Sequence, residues 1–110
     1  MPIQVIVQQA GPLPFTVNFQ SPSDGQMYLE VNGSVWTQTD NEMIGIAIEV
    51  DGANAGQASV FSNGNATHRA VVPAYASIQL TGESHTITLS PATTATVSDF
   101  NDFYTAVLHY

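Results

Sequence analysis

The sequence predicts an all-β sandwich or barrel of about eight to ten short antiparallel strands. Three observations carry this. Apolar and polar residues alternate with period two in run after run, the pattern of a strand with one face buried. Gly, Asn, Asp and Pro punctuate the chain between these runs, as tight reversals require. No stretch carries the i, i+3, i+4 apolar stripe of an amphipathic helix.

Each element follows in order. Ile3, Val5 and Val7 alternate with Gln4 and Gln8, and "AGPLP" ends the run as a loop. Phe15, Val17 and Phe19 alternate with Thr16 and Asn18, and "SPSDG" is the next loop. Met27, Leu29 and Val31 alternate with Tyr28, Glu30 and Asn32. Ile44, Ile46, Ile48 and Val50 form one face of a strand whose other face is Gly45, Ala47 and Glu49. Asp51-Gly52 follows at once and supplies the positive φ values of a two-residue hairpin turn. Further strands are expected around Gln57–Phe61, His68–Val72 and Ser77–Leu80, with turns at Asn63-Gly64 and Thr81-Gly82. His85, Ile87 and Leu89 alternate with Ser84, Thr86 and Thr88 until Pro91, which cannot donate to a ladder. Thr94–Val97 reads as a short strand or loop, and Phe103–Tyr110 as the last strand.

That last strand has two apolar faces. Phe103, Thr105, Val107 and His109 share one side, and Tyr104, Ala106, Leu108 and Tyr110 the other. A strand of this kind is covered on both sides. The expectation is that it lies at the centre of a sheet, with another copy of the chain covering the side its own core does not. Phe103, Tyr104, Leu108 and Tyr110 are the expected interface residues.

Composition narrows function by exclusion. The 110 residues form one domain over 1–110, with nine acids, one strong cation and a net charge of −8. A chain whose only strong cation is Arg69 cannot neutralise a phosphate backbone, which argues against nucleic acid, and anionic membranes repel it. Without lysine or cysteine, Schiff-base and thiolate chemistry are excluded. No Gly-x-Ser-x-Gly elbow is present, and no carboxylate pair stands out as a glycosidase pair. The chain therefore reads as non-catalytic. "MPIQVIVQQAGPLPF" has no basic start, and no stretch is long enough to span a bilayer. Localisation stays unassigned, with cytoplasmic residence and non-classical export both open.

The order "MIGIAIEVDGANAGQASV", "SIQLTGESHTITLSP", "NDFYTAVLHY" resembles the tumour necrosis factor-like jelly roll, a fold shared with complement globular heads and similar to small microbial lectins. "TGESHTITL" resembles the penultimate outer strand and "DFYTAVLHY" the final inner strand of that fold. The resemblance covers the last two-thirds of the chain. It implies a ten-stranded jelly roll whose inner sheets pack as a homotrimer around a threefold axis.

Candidate binding residues are the amphipathic aromatics Trp36, Tyr28 and Tyr75, whose rings suit stacking against sugars. Asp40 and Glu42, beside Trp36 in "TQTDNE", supply acceptors for hydroxyls. Arg69 is read as the partner of an acid in a fixed ion pair across a strand or a subunit boundary, or as the anchor of an acidic sugar. His68, His85 and His109 lack metal-ligand spacing, so no metal site is assigned. Acids grouped in loops (Asp40 and Glu42; Asp51; Asp99 and Asp102) keep calcium open, although turns favour these residues anyway. The function expected is carbohydrate binding by a trimeric jelly roll, to neutral or acidic glycans. The alternative is a structural or assembly protein, such as a phage or capsid accessory or a trimerising domain.

Overall fold

The computed structural model describes residues 2–110. Nine strands run in sequence: β1 Ile3–Ala10, β2 Phe15–Gln20, β3 Gly25–Val35, β4 Glu42–Val50, β5 Ala53–Ser62, β6 Arg69–Ala70, β7 Ala74–Leu80, β8 Ser84–Pro91 and β9 Phe103–His109. There is no helix among the described residues, and hence none that could cross a membrane.

The strands form two antiparallel sheets. One has the order β1-β9-β3, with β7 and the two-residue β6 both pairing β3. The other has the order β2-β8-β4-β5. Strands from the two ends of the chain thus lie side by side, β1 against β9 and β2 against β8, as a jelly roll places them. The Asp51-Gly52 turn forms as expected, with φ of 52° and 80°. Thr94–Val97 is a turn that meets the sheets through one bridge, Trp36 to Val97, and through Gly45 N–H, which donates to Thr96 Oγ1 at 3.1 Å.

The core lies between the sheets. Leu29, Val31, Ile44, Ile46, Ile87, Leu89 and Leu108 are among its fully enclosed members. These are the inward positions of the alternations on β3, β4, β8 and β9, so period two fixed their shared face correctly. On β1 it did not. A bulge between Val5 and Val7 inserts Ile6 as an extra residue. Such an insertion reverses the faces beyond it. Ile3 and Val5 therefore point to the surface, while Ile6 and Val7 are buried.

β9 is central in its sheet, between β1 and β3, which explains how an apolar terminal strand is held. The expected role of two of its residues is corrected. Tyr104 and Leu108 are 0% exposed within the single chain and cannot meet another copy. Tyr104 stacks at 5.7 Å on Phe15 of the opposite sheet, and burial raises its pKa. The chain's own second sheet covers this side of β9. Its other side carries Phe103, Thr105, Val107 and His109, and the large apolar residue there, Phe103, is exposed.

Candidate functional site: a tyrosine platform on the five-stranded sheet

The outward positions of β3 are Gln26, Tyr28, Glu30 and Asn32, because their odd-numbered neighbours fill the core. Register decides what lies beside them. Tyr28 is opposite His109 on one side and Ser77 on the other. Glu30 is opposite Val107 and Tyr75. Tyr28 and Tyr75 are thus a diagonal cross-strand pair, about 7–8 Å apart at the backbone. Both rings are open, 56% and 70% exposed.

Glu30, opposite Tyr75, is held from the β9 side. His109 Nε2 donates to Glu30 Oε1 at 2.9 Å, and Asn32 Nδ2 donates to Glu30 Oε2 at 3.2 Å. The His109 hydrogen bond is the main reason the Glu30 carboxyl stays below its usual range, so it is a charged acceptor at neutral pH. Tyr110 also lies near this site. With Gln26, Tyr28 and His109 it frames a hollow of about 160 Å³, and its backbone N–H is held by Pro2 O at 3.1 Å. Tyr75 and Tyr28 therefore flank Glu30 on β7 and β3, and Tyr110 lies beyond His109 on the other side of Tyr28.

The other expected binding residues lie elsewhere. Trp36 is eight residues beyond Tyr28 on the same chain segment, about 26 Å along an extended strand. Its indole Nε1 is enclosed without a hydrogen-bond partner among the described residues, and its ring packs at 5.8 Å on His68. Asp40 Oδ1 accepts from Asn65 N and Nδ2, both at 2.9 Å, and Glu42 accepts from Thr39 Oγ1. These two acids pin loops. Arg69 Nε donates to Ser62 Oγ at 3.3 Å. Among the described residues, the ion pairs all involve histidines and none includes Arg69, which corrects the expected pairing within the chain. Arg69 sits on β6, beside Val35 and away from the tyrosines.

Each histidine is matched to an acid, an arrangement that sequence spacing does not reveal. His85 Nδ1 donates to Asp51 Oδ2 at 2.6 Å and Nε2 to Thr81 O at 2.8 Å. Two acceptors favour the doubly protonated ring, so its pKa is raised. His68 Nδ1 donates to Asp102 Oδ1 at 2.6 Å, which raises its pKa. Asp102 is fully buried and also accepts from Ser34 Oγ and from Asp99 N. His68, Asp99 and Asp102 offer ligand atoms within 4.8 Å of one another and could hold a divalent cation. Their oxygens already carry the hydrogen bonds that tie the 99–102 turn to β3. The remaining loop acids do the same work. Asp51 Oδ1 accepts from Thr86 N, and Asp99 Oδ1 from Asn101 N.

No family model matches the chain, and no curated protein matches its sequence. Solved structures share its fold at low identity. The Eiger tumour necrosis factor of S. frugiperda superposes with a TM-score of 0.61, at 7% identity, over 100% of this chain and 94% of its own. The C-terminal domain of EclA, a sugar-binding protein, superposes at 0.53 and 14% identity, over 92% of this chain and 69% of its own. An exo-β-1,3-galactanase from Phanerochaete chrysosporium, solved with β-1,3-galactotriose, superposes at 0.54 and 12% identity over 87% of this chain. This chain spans only 21% of the galactanase. The jelly roll read from the sequence is thus the fold of the molecule, and it is similar to that of a tumour necrosis factor and of a sugar-binding domain.

Proposed function

We propose that the chain is a non-catalytic carbohydrate-binding module whose site is the platform of Tyr28, Tyr75 and Tyr110 around Glu30. The observation that carries this is the pair of open, diagonal rings with the ionised carboxylate of Glu30 held beside them. Aromatic faces take the apolar faces of sugar rings. Glu30, Asn32, Gln26 and Ser77 take the hydroxyls. The sugar-binding jelly roll of the EclA domain is a supporting analogy at the level of fold. The ligand is a neutral glycan: Arg69 is on β6, beside the far end of β3, and His109 is already paired with Glu30, so nothing on the platform would neutralise an acidic sugar.

The test is a glycan array followed by isothermal titration. Tyr75→Ala and Tyr28→Ala should each weaken the best neutral glycan about tenfold, equivalent to about 1.4 kcal/mol, with thermal stability retained. Failure to bind any glycan, or full binding by both variants, contradicts the reading.

A second reading concerns assembly and rests on a different part of the same face. Ile3 and Val5 on β1, turned outward by the bulge, lie beside His109 and Val107 of β9, and both are at least half exposed. Phe103, further along β9, adds to this apolar half. A homotrimer packed through it would leave β3 and β7 free and present three platforms. Three linked weak sites gain avidity. Light scattering should give three times the chain mass, and Val5→Glu should reduce it to one. A monomer at working concentration overturns assembly and leaves the platform standing.

A further inference from the structure

β5 and β7 are the outermost strands of the two sheets at one side of the sandwich, and a cleft of about 480 Å³ opens between them. That volume is in the range of ligand cavities. Its floor is Val50, Ile78 and Leu80, and its rim carries Asn54, Ser77 and Gln79.

The rim is continuous with the tyrosine platform. Ser77 is directly opposite Tyr28 and two residues from Tyr75 on the outward side of β7. Gln26 Nε2 donates to Ser77 Oγ, joining the two regions. Across the cleft, a bulge between Ile48 and Glu49 on the β4–β5 ladder leaves Ala55 without a partner. Bulges redirect side chains in this way beside binding sites. Asn54 Oδ1 is fixed by Gly56 N at 2.8 Å, which leaves its amide hydrogens as donors. Both Asp51 oxygens are already bonded, to Thr86 N and to His85, so its carboxylate is held against its own turn. Because β5 and β7 have strand neighbours on one side only, their outer backbone groups add further donors and acceptors.

We infer that this cleft takes a further sugar unit of the same glycan chain that lies across Tyr28 and Tyr75, so that the module prefers neutral oligosaccharides longer than the platform alone can hold. The inference rests on the platform reading. An apolar floor with carboxamides and a hydroxyl at the rim is suited to an uncharged pyranose, which has both an apolar face and a ring of hydroxyls.

The experiment is calorimetry with cello-, xylo-, laminari-, chito- and β-1,3-galacto-oligosaccharides of two to six units, using the series that binds best. Wild type should bind the hexasaccharide at least fivefold more tightly than the trisaccharide. Gln79→Trp, at an exposed position that overhangs the cleft, should erase that gain and leave trisaccharide affinity unchanged; Gln79→Ala should lose part of it. Equal affinity of wild type for three and six units, or a Gln79→Trp variant that keeps the gain, overturns the cleft. If Tyr75→Ala abolishes binding while Gln79→Trp changes nothing, the cleft alone falls. If no series binds wild type, the platform falls and the cleft with it.

Discussion

The outward faces of the two sheets differ in kind. The four-stranded sheet presents Thr16, Asn18 and Gln20 on β2, and Ser84, Thr86 and Thr88 on β8. Thr16 and Thr88, directly opposite, share a hydrogen bond at 2.8 Å. Such a ladder of β-branched hydroxyls suits both the strand conformation and water; the apolar part of this face is confined to Met43 and Phe61, opposite each other on β4 and β5. The five-stranded sheet presents Ile3, Val5, Tyr28 and Tyr75, with the Glu30–His109 hydrogen bond beside Tyr28. Water is a poor partner for that face. Both sheets bury their other sides in the same core, so the difference does not arise from folding.

The largest effect that sharpens this contrast is within β9. Leu108→Ala removes a fully enclosed side chain and should cost about 3 kcal/mol of unfolding free energy. Val107→Ala, its neighbour on the outward side, should cost less than about 1 kcal/mol. Equal losses in denaturant titrations would show that the outward side is covered too. Next is Gly45→Ala. A Cβ there would lie 2.4 Å from Ala58 O on the neighbouring backbone, which cannot give way as a flexible side chain would. Thermal unfolding should show a loss of about 2 kcal/mol. Tyr75→Ala follows, with its roughly tenfold weaker glycan binding, against less than about twofold for Thr88→Ala on the other face.

How much of this was legible beforehand depends on what alternation can encode. Period two groups residues of one strand by side, and for β2, β3, β4 and β8 the inward side is the more apolar one, so the core could be read. In β9 both sides carry apolar groups, and composition gave no reason to put Tyr104 and Leu108 inside rather than at a subunit contact. A bulge leaves no mark on composition, so Ile3 and Val5 seemed to share a side with Val7. The platform depends on register: Tyr28, Tyr75 and Tyr110 are far apart in sequence and meet through the β7-β3-β9 pairing. Tyr28 and Tyr75 were readable as rings of the right kind. Trp36, chosen on the same chemistry, has its Nε1 enclosed because β3 carries it to the opposite end of the sheet. The buried carboxylate of Asp102 was hidden for a similar reason, since its partners Ser34 and His68 come from other elements.

The smallest expected effect is on pH. His68 and His85 have folded pKa values raised above 6.5. Their contribution to stability is complete below that value and is lost as pH rises through the folded values. Glu30 and Asp51 are lowered from 4.5 and 3.8, and their contribution is complete above those values and lost as pH falls below them. The melting temperature should peak between about pH 4.5 and 6.5 and decline on both sides. His85→Gln should flatten the alkaline decline, and a profile that rises steadily to pH 8 would contradict these pairings.

The most direct test of the contrast between faces is to titrate isotope-labelled protein with the best-bound neutral oligosaccharide and map amide shift changes by NMR. The changes should concentrate at Tyr28, Glu30, Tyr75, Ser77 and His109. Changes centred on Thr16, Asn18, Thr86 and Thr88 would place the ligand on the hydroxyl face and contradict the account.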